Sequence, residues 1–268
     1  MTALEFLEFC AKDTWLRLSL NSAMGYQPDE RMVTGNIITE YLRHQPTGLS
    51  LVPIPHDKES SIGADIDMWV RYSKGWLRYL IQSKILNFKQ NAYLKLDHQI
   101  NGKQQFDILI DYCKANSAIP LYGMYNYFSS GGIEYWNCNL GPEYEQLAIT
   151  VTDASLIKSS YKARGYKKSK TIHSYTQTVP MRCLVCCPLL MEDSRTHEHP
   201  INISQYRESC LRSDEEVPKS IRAILYKDVR EANGDVINEI YKDVITPPKL
   251  IMCIDARNAI IGKQNRKT

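Results

Sequence analysis

No stretch of this sequence approaches the roughly 18–20 uncharged apolar residues that a membrane-spanning helix needs, so no membrane partner is expected. An excess of one charge is missing as well. The 33 Lys and Arg face 30 Asp and Glu, and a net charge of +3 excludes a histone-like or polybasic membrane binder. Any nucleic-acid partner must therefore be met by a local patch. Also absent are a P-loop, a dinucleotide-binding fingerprint and a Gly-x-Ser-x-Gly elbow, together with the nucleotide and acyl-transfer chemistry they serve. There is no internal repeat and no low-complexity linker, so the 268 residues read as one elaborated domain. The start, MTALEFLEFCAKD, carries Glu5 and Glu8 where a secretion signal would carry Lys or Arg, and a cytoplasmic location is expected. The eight cysteines then read as reduced thiols and not as a disulfide framework. What is present is an apolar fraction of 43%, enough for a folded core, and an excess of tyrosine, 17 in all.

Apolar spacing predicts a helix over residues 2–20, broken by GYQPD at 25–29, and a second over 30–44 with Val33, Ile37, Ile38, Tyr41 and Leu42 on its stripe. Three β-like runs follow: LSLVPIP at 49–55, ADIDMWVR at 64–71 and WLRYLIQSKIL at 76–86. The last two are joined by Tyr72-Ser73-Lys74-Gly75 as a hairpin. A polar stretch leads to a helix over about 103–115 and a strand at 118–127. Later segments LAITV (147–151), RCLVCCPLL (182–190) and KLIMCIDA (249–256) read as buried strands, and helices are expected near 203–212 and 217–228.

The chemistry concentrates on the hairpin. Side chains two apart on a strand share a face, so Asp65 pairs in direction with Asp67, and Gln82 with Lys84. A two-residue loop at Ser73-Lys74 sets position 65 opposite 82, and a loop at Lys74-Gly75 sets it opposite 84; either gathers all four on one face. A three-residue loop with a bulge at Gly75 would separate the pairs. Two carboxylates, an amide and an ammonium make a poor core, because each buried unpaired polar group costs about 1–3 kcal/mol. They make a good Mg²⁺ site, which needs only one or two carboxylates alongside water and substrate phosphate. Asp65 would bind the ion, Gln82 and the Ser83 carbonyl would add oxygens, and Lys84 would orient the attacking water and stabilise transition-state charge. Asp67 is either a further ligand or a supporting residue. On the second helix Glu30 faces the core stripe, whereas Glu40, on its edge, reads as solvated surface and stands as the alternative helix-borne acid.

Glu30 on the first core helix, Asp65 starting the second core strand and Gln82-Ser83-Lys84 ending the third resemble the PD-(D/E)XK nuclease superfamily, in the QxK variant of Mrr-type restriction endonucleases. The resemblance spans about residues 25–130, includes the helix-strand-strand-strand-helix-strand order, and extends to Gln105 near the start of the next helix. The strings ERMVTGNIITEYL, ESSIGADIDMW, LIQSKIL, QQFDILIDYCK and IPLYGMYNY are also similar to an uncharacterised bacterial family assigned to that superfamily. It implies an α/β, restriction-endonuclease-like core with a central mixed sheet flanked by helices, and residues 131–268 as a C-terminal extension of the same domain. It further implies Mg²⁺-dependent phosphodiester hydrolysis, with Mn²⁺ as a substitute ion: Asp65 as metal ligand, Gln82 in the usual acidic position, Lys84 as catalytic lysine and Glu30 as accessory acid. The implied substrate is DNA, cut to 5′-phosphate and 3′-hydroxyl ends in restriction or antiphage defence, by a homodimer or with a defence-complex partner; RNA is the other candidate. Gln82 replaces the commoner Glu or Asp, which leaves room for an inactive module that binds nucleic acid or supports assembly.

Other clusters carry weaker signals. Lys162, Arg164, Lys167 and Lys168, interleaved with Tyr161 and Tyr166, read equally as a phosphate-binding patch or a solvated basic loop. Gln105 either contacts the site or scissile strand or merely decorates its helix. Glu59 reads as a loop charge, and Lys263, Arg266 and Lys267 as a frayed tail. Cys183, Cys186, His197 and His199 have a zinc-like spacing, but the cysteines sit in an apolar run and read as core; Cys183 and Cys187 have no nearby triad pattern.

Overall fold

In the computed structural model, residues 1–54, 60–129, 133–138, 141–186, 209–226 and 239–257 are described. Glu59, Cys187, His197, His199, Lys263, Arg266, Lys267 and most of the helix expected at 203–212 lie outside them. Helix α1 (Ala3–Ala23) opens on a capping box in which Thr2 and Glu5 satisfy each other's backbone N–H groups. Helix α2 (Glu30–His44) is capped by Asp29, which accepts the Met32 N–H at 2.9 Å. Glu30 in its first turn and Arg43 and His44 in its last complement the helix dipole.

Strands β1 (Leu49–Pro53), β2 (Ile66–Tyr72) and β3 (Gly75–Ile85) follow. A small hairpin of β4 (Gln99–Ile100) and β5 (Lys103–Gln104) runs directly into α3 (Gln105–Ala115), so the helix expected from residue 103 starts two residues later. Asn101 and Gly102 turn that hairpin at φ 51° and 79°, the positive values a type I′ turn requires. Strands β6 (Ile119–Tyr125), β7 (Ile149–Asp153), β8 (Val179–Pro180) and β9 (Leu250–Asp255) complete a mixed seven-stranded sheet in the order β1-β9-β2-β3-β6-β7-β8. The fold is α/β, with helices on both sheet faces. Helices α1 and α2 cover one face through Phe6, Leu7, Val33 and Ile37; α3, α4 (Ala154–Ser160) and the helix Lys219–Tyr226 cover the other through Phe106, Leu109, Ile157 and Ile221. Burial on both faces explains why β3 reads as a nearly continuous buried run.

Two expectations are corrected. Residues 183–186 of the expected strand RCLVCCPLL form one turn of helix, a distinction that a short apolar run does not encode, and residues 187–190 lie outside the described set. The strand expected at 249–256 forms as β9, which inserts between β1 and β2, antiparallel to the first and parallel to the second. Glu40 is buried, 3% exposed, and bonded to Arg17 and Arg43 with His44 close by, whereas Leu42 is 66% exposed. Positions seven apart differ by only about 20° around a helix, so Glu40 follows Val33 inward.

The β2–β3 hairpin uses the two-residue turn at Ser73-Lys74: Tyr72 pairs with Gly75 and Ile66 with Ile81. That register carries Asp65 to Gln82. Just before it, Gly63 sits at φ +73°, where an added Cβ would come within 3.0 Å of the Gln105 carbonyl oxygen and 3.2 Å of Leu109 N. The bare glycine lets the turn leading to Asp65 press against the first turn of α3. Gly63→Ala is therefore expected to cost about 1–3 kcal/mol, read from the shift of the urea unfolding transition.

Candidate active site

Asp65 is locked at the start of β2 from two sides. Its N–H donates to the Ile81 carbonyl at 2.9 Å, and its own carbonyl accepts Lys249 N at 2.9 Å and Leu250 N at 3.2 Å, where β9 begins. The Asp65 carboxylate oxygen Oδ2 accepts Gln82 Nε2 at 2.5 Å and the Ser83 backbone N–H at 2.9 Å. From α3, Gln105 reaches back to β3: its Nε2 donates to Gln82 Oε1 at 2.6 Å, and its Oε1 accepts Lys84 Nζ at 2.7 Å. Gln82, Lys84 and Gln105 are all buried. From the opposite face of the sheet, Glu30 Oε1 accepts the Ile85 N–H at 3.4 Å. Thr34, one turn later, bonds Tyr125, whose hydroxyl lies 3.5 Å from Ser83 Oγ.

Glu30, Asp65, Gln82, Ser83 and Lys84 thus line one cleft of about 600 Å³, closed by Thr34, Gly35 and Ile38 of α2 and by Pro53 and Ile54 at the end of β1. Arg31, Lys95, His98 and Lys249 complete its wall. Two carboxylates therefore face a cavity whose wall also carries the cationic side chains of Arg31, Lys84, Lys95 and Lys249. Burial, and next the negative charge of Asp65, hold the Tyr122 phenol above its usual range; Tyr125 is raised mainly by burial, so neither offers a phenolate near neutral pH.

Asp67 shares the parity of Asp65 but does not line the cleft. Its carboxylate is fully buried, bonded to Arg78 at 2.7 and 3.1 Å and to the Tyr241 hydroxyl. An aspartate so committed to a guanidinium is a structural charge and not a further ligand. Gln105, expected either to contact the site or scissile strand or to decorate its helix, is 1% exposed and contacts the site from behind, through Gln82 and Lys84. Two residues of the basic run form a buttress, Lys167 binding Asp97 at 2.6 Å and the Leu94 carbonyl and Lys168 the Gln90 carbonyl at 2.9 Å, while Lys162 and Arg164 are exposed. It props the segment that carries Lys95 and His98. Of the zinc-like set, Cys183 is a buried thiol and Cys186 a half-buried one.

Four wall residues escape sequence reasoning. Arg31 adjoins Glu30 and was legible from the helix start. His98 is drawn in by the Asn101-Gly102 hairpin, whose Asn-Gly signal is readable, because its carbonyl accepts Gln105 N at 2.9 Å. Lys95 and Lys249 carry no local signal.

The donor set suits a hard divalent ion. Among the described residues no three His, Cys, Asp or Glu side chains gather into a cage. An ion here would rest on the Asp65 and Glu30 carboxylates, the Ser83 carbonyl, water and a substrate oxygen, the sparse arrangement that Mg²⁺ accepts. Gln82 fits only in part, since its amide N–H and not its oxygen is turned to Asp65. Among the described residues no helix is long and apolar enough to cross a membrane.

No curated protein and no solved structure matches the chain. Residues 3–260 match the profile of a family of unknown function, DUF6615, and with nearly all of the sequence covered the protein belongs to that family.

Proposed function

We propose that the chain is a metal-dependent phosphodiesterase of the PD-(D/E)XK type, in its QxK form, that cleaves nucleic acid, with DNA the first substrate to test. The observation that carries this reading is the convergence of Asp65, Gln82, Lys84 and Glu30, from two strands and a helix, on one cleft with a cationic wall. Asp65 and Glu30 would hold Mg²⁺, or Mn²⁺ in its place. When bound, the ion lowers the pKa of a coordinated water and neutralises charge on the scissile phosphate. Lys84 supplies a fixed ammonium to orient that water and to stabilise the extra negative charge of the pentacoordinate transition state. Arg31, Lys95 and Lys249 hold flanking phosphates. Products would carry 5′-phosphate and 3′-hydroxyl ends, and the setting that fits is bacterial restriction or antiphage defence, with a homodimer or a defence-complex partner where both strands are cut.

One observation favours a second reading, a catalytically inactive module for nucleic-acid binding or assembly. Gln82 is neutral and presents an N–H to Asp65, which leaves Asp65 as the carboxylate that the strand pair turns to the cleft, where the superfamily usually has two.

The two separate when purified protein is incubated with supercoiled plasmid, linear duplex, single-stranded DNA and RNA in Mg²⁺, Mn²⁺ or EDTA. Cleavage that needs the metal and stops with EDTA is expected; cleavage of RNA alone reassigns the substrate. A retarded band in gels with nothing cut in either metal would replace the nuclease by the binding module. Lys95→Gln and Lys249→Gln should each reduce the slope of log affinity against log salt by about 0.9 for duplex DNA, as loss of one phosphate contact requires. An unchanged slope in both would remove these residues from the interface.

A further inference from the structure

We infer that Gln82 and Gln105 form a two-position amide switch, which couples ligation of a divalent cation beside Asp65 to release of the Lys84 ammonium. The inference rests on the metal site of the proposed function and adds to it a positioning role for Gln105.

The reason is the direction of an unbroken hydrogen-bond chain. Lys84 Nζ donates to Gln105 Oε1 at 2.7 Å, Gln105 Nε2 to Gln82 Oε1 at 2.6 Å, and Gln82 Nε2 to Asp65 Oδ2 at 2.5 Å. An ammonium only donates and a carboxylate only accepts, so the two ends impose one sense on both amides between them. With Gln82, Lys84 and Gln105 each 5% exposed or less, water does not readily substitute for a lost partner. In this sense of the chain Gln82 turns its nitrogen to Asp65, and an amide nitrogen is no ligand for Mg²⁺.

For Gln82 to offer its oxygen, its amide must turn over. Its Nε2 then faces Gln105, which accepts that bond only by turning over too. Gln105 Nε2 is thereby brought against Lys84 Nζ, donor against donor, and the ammonium must leave Gln105. The same event that completes the oxygen ligands at Asp65 thus releases from Gln105 the charge needed beside the scissile phosphate. Without the ion, Lys84 stays tethered, and the cleft holds no half-assembled machinery.

The test uses the full chain and Mg²⁺ alone. Calorimetry gives the affinity, and NMR follows the side-chain amides of Gln82 and Gln105 and the Lys84 ammonium. In the unmodified protein all three signals should move together in one titration step. Gln105→Met, which cannot bond either neighbour, should bind Mg²⁺ about 3- to 10-fold more tightly, because ligation no longer breaks a charge-assisted bond. In Gln105→Glu the carboxylate accepts from Lys84 and from a turned Gln82 at once, so Mg²⁺ should shift the Gln82 amide and leave Lys84 in place. A purely structural Gln105 predicts neither effect. Mg²⁺ binding that leaves the Gln105 and Lys84 signals still, or with equal affinity in Gln105→Met, would overturn the switch and leave the nuclease reading standing. Absence of any Mg²⁺ binding by the unmodified protein would overturn both.

Discussion

Asp65→Asn and Lys84→Met are each expected to reduce metal-dependent cleavage by about 10²–10⁴-fold while the protein stays folded. The two losses differ in origin. Asparagine keeps the shape of residue 65 and can still accept from Ser83 N, but it removes the charge on which a divalent ion depends, so cleavage should recover in part at higher Mn²⁺. Methionine, one atom shorter, occupies most of the buried space of residue 84 without an ammonium, so no added metal should restore the rate. Steady-state rates across a metal titration, with a thermal melt of each variant, make the check. Cleavage equal to that of the unmodified protein in both variants would place the activity elsewhere or in a contaminant.

Asp67→Ala should destabilise the fold by about 3–5 kcal/mol, the usual consequence of stranding one member of a buried ion pair. Asp67 and Arg78 are 0% and 4% exposed, and the Arg78 guanidinium lies 4.9 Å from the centre of the Trp69 ring. Removing the carboxylate leaves that cation inside the protein with its main counter-charge gone. The pair Asp67→Leu with Arg78→Met should recover most of the loss, since burying two apolar side chains there avoids the desolvation of both ions. Urea unfolding of the two single variants and the double variant measures this. A loss below about 1 kcal/mol for Asp67→Ala would contradict the assignment, as would Mg²⁺ affinity that falls with Asp67→Asn while stability does not.

Asp65 and Asp67 mark where local reasoning stops. Strand alternation correctly puts both side chains on one side of β2, and the Ser73-Lys74 turn correctly brings Asp65 to Gln82. Alternation says nothing of how far along the strand the cleft extends, and two residues are enough to pass from its wall into the core. Glu40 teaches the same lesson on a helix: helix geometry gives its angular position, but the width of the buried arc depends on Arg17 of α1, 23 residues earlier in the chain.

Helix caps, hydrophobic spacing and the hairpin turn act over a few residues; they suffice for the boundaries of α2 and the pairing of β2 with β3, while the register that joins Asp65 to Gln82 is one of three that the turn residues allow. The remainder of the cleft depends on pairings between distant segments. Lys249 reaches the site because β9, nearly two hundred residues beyond β1, is the strand that fills the gap beside β2, and Gln105 reaches it because Gly63 admits α3. Such contacts are selected by the burial of both faces of a shared sheet, a condition satisfied only when the whole chain has folded, and so they leave no periodic trace near the residues they unite.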